Sequence, residues 1–168
     1  MKPNVKLPEI LNPATGSLMA GVISDTHGVV MPEALMALQG VDVIFHAGDI
    51  DTLPVLDDLK RIAPVIAVRG NMDRGPWASL LFDTEIVETG FGLLYILHDL
   101  NRLDLDPAAA GIRVVIHGHT HHASDKTRNA VRYLNPGSAS RPRAGENPSL
   151  LKLHISKTAV SSEFIQLP

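Results

Sequence analysis

Short apolar runs alternate with glycine-containing polar loops along this chain, and that rhythm predicts its elements. Residues 18–24 form a small apolar run ending in Asp25-Thr26-His27-Gly28, which predicts a strand and its following loop. Pro32 suits the first position of a helix and Gly40 its end, with Leu35 and Leu38 facing inward. Val41-Asp42-Val43-Ile44-Phe45-His46 predicts a second strand, followed by Ala47-Gly48-Asp49-Ile50-Asp51. Thr52 stands where it can cap the next helix, in which Leu53, Leu56, Leu59 and Ile62 recur at helical spacing until Pro64 stops it. Residues 65–68 predict a third strand before Arg69-Gly70-Asn71-Met72-Asp73. Strands that alternate with helices and end in polar loops predict a parallel α/β core with its site at the carboxyl ends of the strands.

The second half is richer in strands. Residues 85–88 and 93–97 flank Thr89-Gly90-Phe91-Gly92 as a hairpin whose second arm ends in His98-Asp99. Residues 104–111 predict a short capped helix, and 112–116 a buried strand. Residues 123–128 and 131–134 can pair across Asn129-Ala130, Asn135-Pro136-Gly137-Ser138 is a turn, and 150–155 with 160–167 form a last pair. The expected architecture is two sheets packed face to face with helices outside. Residues 1–17 carry Pro3, Pro8 and Pro13 without periodicity and are expected to be a flexible lead-in to a single domain over 18–168.

Composition narrows the class. A chain of 168 residues, 45% hydrophobic and 20% charged, can bury one substantial core. No apolar run approaches a membrane span, the first eight residues lack the apolar centre of a signal peptide, and the absence of cysteine removes disulfides and thiolate metal sites. A cytoplasmic protein with no membrane partner is expected. The net charge of −3 argues against broad nucleic-acid binding, which favours basic surfaces.

The chemistry concentrates in His117-Gly118-His119-Thr120-His121-His122, where four of the eight histidines follow a predicted strand. Histidines two apart on extended backbone point their rings to one side, and imidazole is the commonest metal ligand. Asp25, His27, Asp49, Asn71 and His98 stand at other predicted strand ends. With His119 and His121 they form a set of oxygen and nitrogen donors only, which suits two divalent transition metals sharing one carboxylate.

This ordered series resembles the calcineurin-like metallophosphoesterase superfamily, and within it the small branch of YfcE-type phosphodiesterases. The matching stretches are Ser24-Asp25-Thr26-His27-Gly28, His46-Ala47-Gly48-Asp49, Arg69-Gly70-Asn71-Met72-Asp73, His98, Gly118-His119-Thr120-His121 and Asn135-Pro136-Gly137-Ser138. The resemblance implies a four-layer αββα sandwich: an α/β fold of two mixed sheets flanked by helices. It implies that Asp25, His27 and His121 hold one metal, that Asn71, His98 and His119 hold another, and that Asp49 bridges them. Asp49, Asn71 and His98 would carry the catalytic role. Two divalent ions, two carboxylates and one hydroxide leave such a centre near a single positive charge, which attracts a phosphate ester. Paired metals lower the pKa of a bridging water to about 7 and clamp an in-line displacement. The implied activity is hydrolysis of phosphate diesters by that hydroxide. Manganese is the expected ion, and iron, cobalt, nickel or zinc would satisfy the same donors.

Two positions depart from the larger superfamily. Met72 stands where many members have a histidine thought to assist the leaving group, which points to the YfcE-type branch and to good leaving groups. His98 is followed by Asp99 where glycine is usual, so an extra carboxylate stands beside the second metal as outer acceptor, ligand or repulsive wall. Arg69, Arg74, Arg102, Arg141 and Arg143 are the candidates for neutralising phosphate. His46 and His117 are expected to support the site or simply to pack rather than to ligate, Asn135 to Ser138 to line the site, and Asp73 either to orient a ligand or to stabilise its turn. The expected partner is a small phosphate-ester substrate. Nucleic acid is not expected, and homo-oligomers stay open. The rival reading is a non-catalytic interaction scaffold of the same fold, like the retromer subunit, in which parts of the histidine set are replaced.

Overall fold

The computed structural model describes residues 5–6 and 16–168. Among the described residues, eleven strands form two sheets. The first has five strands in the order β11 (Val160–Gln166), β10 (Ser149–Ser156), β2 (Ser17–Ile23), β3 (Val43–His46) and β4 (Val65–Ala67). The second has six, in the order β1 (Val5–Lys6), β5 (Thr84–Thr89), β6 (Gly92–Leu97), β7 (Ile112–Ile116), β9 (Val131–Asn135) and β8 (Ser124–Arg128). Each sheet holds a parallel trio: β2, β3 and β4 in one, β6, β7 and β9 in the other.

Period-two alternation explains why these runs became strands. Ala20, Val22, Val43 and Phe45 face the six-stranded sheet and meet Leu94, Ile96, Val114, Ile116 and Leu134 in a buried layer. Ile23 and Ile44 point the other way, under Leu38 at the end of α1 (Pro32–Ala37) and Leu56 and Leu59 of α2 (Leu53–Lys60). Burying side chains of this size contributes about 1.5–3 kcal/mol each. Arg132 on β9 ties the sheets together. It pairs with Asp125 on β8 and donates to the Val160 carbonyl on β11 at 2.7 Å.

The expected α/β sandwich of two mixed sheets is the observed fold, with few helices. Its outer layer over the six-stranded sheet is thin. Ile86, Tyr95, Leu97 and Val115 are covered by Leu100, Leu103 and Leu105 from a 3₁₀ turn at Leu100–Arg102 and the segment after it. Residues 104–111 do not form the predicted helix. Asp106 caps the N–H of Ala108 at 3.0 Å, and one α-turn closes when Ala110 N–H donates to the Asp106 carbonyl at 3.0 Å. A single turn between Pro107 and Gly111 cannot propagate into a helix. Thr52 does occupy the N-cap of α2, but its side chain makes no capping hydrogen bond. The expectation for residues 1–17 falls mostly outside the described residues. Within that stretch Val5–Lys6 pairs in parallel with Val87 and Glu88, a strand the sequence pattern did not predict.

Candidate metal centre

The candidate residues all stand on loops that follow the two parallel trios. Asp25 and His27 follow β2, Asp49 follows β3 and Asn71 follows β4. His98 follows β6, and His119 and His121 follow β7. Parallel neighbours end at the same edge of a sheet, so each trio delivers three loops to one rim. These loops continue the ladder beyond the strands: Asp25 N–H donates to the Gly48 carbonyl, His27 N–H to that of Asp49, and Gly118 N–H to that of His98, at 3.0–3.1 Å.

The backbone there is wound unusually. Asp25, His27, Asp49, Asp51, His119 and His121 all have left-handed φ between 46° and 68°, six of the eight such non-glycine residues among those described. Such conformations cost on the order of 1–3 kcal/mol each and persist where the surroundings hold them. Packing leaves no slack at two glycines. A Cβ on Gly70 would stand 2.1 Å from Asp49 Oδ1, and one on Gly118 would stand 1.9 Å from Ser24 Oγ.

The hydrogen bonds set which nitrogen each imidazole presents. His27 Nδ1 lies 3.3 Å from Asp51 Oδ2, His98 Nδ1 lies 2.7 Å from the Ala47 carbonyl, and His121 Nδ1 is bonded to the Arg141 carbonyl. Each partner only accepts, so each Nδ1 carries the hydrogen and each Nε2 turns a lone pair inward. These lone pairs converge. His27 Nε2 and His121 Nε2 are 3.2 Å apart, and His121 Nε2 is 3.3 Å from Asp25 Oδ1. His98 Nε2 is 3.3 Å from Asp49 Oδ2 and 3.1 Å from Asn71 Oδ1, which also lies 2.9 Å from His119 Nδ1. Lone pairs facing lone pairs repel unless a proton or cation sits between them.

Two groups, Asp25 with His27 and His121, and Asp25 with Asp49 and His98, each bring their ligand atoms within 4.8 Å of one another and could hold a metal ion. Asp25 and Asp49 are fully or almost fully buried, and Asp25 Oδ1 has no hydrogen-bond partner among the described residues. A buried carboxylate oxygen without a donor is costly unless a cation meets it. Burial works to raise the Asp49 carboxyl, but the His98 hydrogen bond and the Met72 N–H at 2.8 Å hold it below the ordinary range. Burial likewise works against a charged His98, yet the Asp49 hydrogen bond and the nearby carboxylates raise its pKa overall.

Further residues brace these loops. His46 is fully buried, and its Nδ1 accepts from Gly48 N–H at 3.2 Å while its Nε2 meets Thr26 Oγ1 at 3.1 Å. Burial pushes its pKa down to about 3, so it stays neutral and links two loops. Asp73 accepts the N–H groups of Asp49, Ile50, Asp51 and Gly70 at 2.7–3.1 Å, locking the β3 loop to the β4 loop. Asn135 Nδ2 donates to the Gly118 carbonyl at 2.9 Å, and Ser138 Oγ to the Asp25 carbonyl at 2.8 Å. His117 is buried beside Asn135 and makes no hydrogen bond to the converging set among the described residues. Asp99 Oδ1 accepts from Asn101, and its Oδ2 stands 4.0 Å from His119 Nε2. Arg69 is paired with the exposed Asp83 at 2.6 Å. Sequence reasoning passed over Asp51. Its available signal was a second carboxylate two residues beyond Asp49.

Residues 18–158 match the family model of the calcineurin-like phosphoesterase superfamily domain. A probable metallophosphoesterase of Methanothermobacter thermautotrophicus is 36% identical over 160 residues, covering 89% of this chain and 92% of that protein. Phosphodiesterase YfcE of Escherichia coli K12 is 31% identical over 128 residues, 64% of this chain and 65% of its own. Among solved structures, one described as a novel archaeal phosphodiesterase superposes with a TM-score of 0.73 at 25% identity, covering 88% of this chain and all of that one. Vacuolar protein sorting 29 of Cryptosporidium parvum shares the fold with a TM-score of 0.71 at 18% identity, over 90% and 99% of the two chains.

Proposed function

The chain belongs to the calcineurin-like phosphoesterase superfamily, and from that premise we propose that it is a metal-dependent phosphodiesterase holding two divalent ions where the loops of its two sheets meet. The observation that carries this reading is the set of imidazoles whose outer nitrogens are occupied by acceptors while their inner nitrogens face one another and buried carboxylates. That set fits divalent cations and explains the unpartnered Asp25 Oδ1. Asp25, His27 and His121 would hold one ion, Asn71, His98 and His119 the other, with Asp49 shared. When bound, the ions supply a water activated at neutral pH and positive charge for the phosphoryl oxygens.

The chain's own residues set the remaining terms. Asp51, the Ala47 carbonyl and the Arg141 carbonyl keep three imidazoles in the tautomer that binds cations. Met72 transfers no proton and instead donates its backbone N–H to Asp49 Oδ1, so the leaving group departs without an imidazole at that position. Diesters with good leaving groups suit such a site. Manganese is the expected ion. A scaffold reading has support from the shared fold with vacuolar protein sorting 29, but the complete donor set favours the enzyme.

The test is elemental analysis of protein purified without chelator, paired with hydrolysis of bis-p-nitrophenyl phosphate in Mn²⁺ by wild type and Asp49→Ala. The expected result is about two metal ions per chain and turnover that the variant loses. Metal-free protein that hydrolyses nothing with any divalent ion would transfer the reading to the scaffold.

A further inference from the structure

A groove of about 420 Å³ runs down the outer face of the six-stranded sheet from the histidine loop. Thr120 stands at its upper end, one residue from both His119 and His121. Lys126 and Arg128 line it from β8, Tyr133 from β9, Leu100 from the facing turn and Arg143 from the loop that also braces the histidines.

The groove's charge runs against that of the whole chain. The protein carries a net −3, yet this lining holds three cations and no carboxylate. Lys126, Arg128 and Arg143 form no ion pair among the described residues. Acids on the neighbouring segments have other partners: Asp125 with Arg132, Glu146 with His122 at the groove's edge, and Asp99 with Asn101. Arg143 uses its Nε to donate to the Thr120 carbonyl at 2.7 Å, which fixes it beside the histidine loop and leaves its terminal N–H groups free. Arg128 stands 5.9 Å from the centre of the Tyr133 ring. Unpaired cations gathered in one concavity attract an anion, and guanidinium groups favour phosphate. Leu100 and Tyr133 add apolar walls for the carbon body that carries it.

We propose that this groove is a subsite for a second phosphate group, so that the substrate is a phosphodiester carrying a further phosphate on one of its two halves. The inference rests on the phosphodiesterase reading, because it seats the scissile phosphate at the metal centre and the second phosphate beside Lys126, Arg128 and Arg143. It places substrate selection on β8, a strand that contributes nothing to the metal centre.

A matched pair of chromogenic diesters tests it: thymidine 5′-(p-nitrophenyl phosphate) and the same molecule with an added 3′-phosphate. Wild type with Mn²⁺ is expected to favour the phosphorylated ester by roughly tenfold in kcat/KM, expressed in KM, with the preference shrinking as salt rises. The Lys126→Ala/Arg128→Ala double variant, both changes at exposed positions, should bring the ratio of the two substrates to near one. A ratio near one in wild type overturns the proposal, as does a preference that survives in a double variant of unchanged Tm. Should neither ester be cleaved, the phosphodiesterase reading has failed by itself. Calorimetric titration with thymidine 3′,5′-bisphosphate against thymidine 5′-monophosphate then reads the groove directly. Tighter binding of the bisphosphate, lost in the double variant, supports the subsite, and equal binding overturns it.

Discussion

His98 Nε2 lies 3.3 Å from Asp49 Oδ2 while its Nδ1 is committed to the Ala47 carbonyl, so the ring has a single nitrogen to offer and offers it to a group that only accepts. Without metal a proton must fill that gap, and the raised pKa of His98 expresses it. His121 is raised as well, chiefly by the Asp25 carboxylate, whose Oδ1 lies 3.3 Å from its Nε2. Groups raised on folding stabilise fully below the ordinary imidazole value of 6.5, and that contribution fades as pH climbs through their folded pKa. A divalent ion replaces the protons and has least competition at high pH. The rise in Tm between EDTA and saturating Mn²⁺ should therefore be larger at pH 8 than at pH 6. A larger rise at pH 6 would contradict the proton-for-metal exchange.

His46 titrates in the opposite sense. Its folded pKa of about 3 lies below the ordinary 6.5, so the unfolded chain gains a proton there that the folded protein refuses. Stability is fully present above pH 6.5 and declines as pH falls toward 3, with a slope approaching 1.4 kcal/mol per pH unit, about 5 kcal/mol across the window. Urea unfolding at steps from pH 7 to pH 4 should show a steeper loss for wild type than for His46→Gln, which keeps an amide donor near Thr26 without a titrating ring. Parallel slopes would mean that His46 is not held neutral.

Much of this arrangement was legible along the chain, for definite reasons. Ala20, Val22 and Phe45 alternate with Ile23 and Ile44 because each strand packs on both faces, and that pattern survives in one dimension. The seven donor residues stood out because each follows an apolar run, and the structure brings those runs to one rim. The role of Asp51, and the reach of Asp73 beyond its own turn, were hidden because they are defined by partners more than twenty residues away. A carboxylate that accepts backbone N–H groups leaves no periodic trace. The strand at Val5–Lys6 was hidden for the same reason, as only its pairing with β5 defines it. Residues 104–111 misled because Asp106 has the chemistry of a cap but a single turn to serve.

Asp73 should matter to the metal centre without touching it. Its carboxylate accepts four N–H groups from two loops, and removing it leaves those donors buried and unmatched. Asp73→Ala is expected to cost about 3 kcal/mol and to weaken metal binding, because Asp49 and Asn71 are then no longer held in register. Asp73→Asn should fall between, since one of its oxygens is replaced by a donor. Chemical denaturation and a metal titration on the same samples check both halves. Wild-type metal affinity in Asp73→Ala would show that the loops keep their register unaided.

Gly70 offers a sharper steric test. An added methyl group would meet Asp49 Oδ1 at 2.1 Å and Asp49 N at 2.2 Å, and backbone cannot swing aside as a flexible side chain can. Gly70→Ala should abolish metal uptake and turnover while the protein still folds, because the displacement falls on one loop of the rim. Circular dichroism establishes the fold and elemental analysis the metal. Retention of both ions in Gly70→Ala would mean the two loops part more easily than their packing implies.

The last prediction concerns how an imidazole is aimed. His27 has a nearly buried ring whose Nδ1 lies 3.3 Å from Asp51 Oδ2, while Asp51 is itself held at a left-handed φ of 68° by its N–H bond to Asp73. A chain of three residues thus runs from the Asp73 carboxylate, through the backbone N–H and then the carboxylate of Asp51, to the ring whose Nε2 faces His121. Removing the middle member frees the ring to rotate and to exchange tautomers, both of which lower its value as a ligand. Asp51→Ala should weaken the binding of one ion by about 10–100-fold and leave the other nearly unchanged. Asp51→Asn keeps an acceptor oxygen without the charge and should show a smaller loss. Calorimetric titration with Mn²⁺ separates the two events, and unfolding curves on the same variants report whether the fold has moved. If both variants bind two ions as tightly as wild type, packing alone aims His27, and the carboxylate behind it is dispensable.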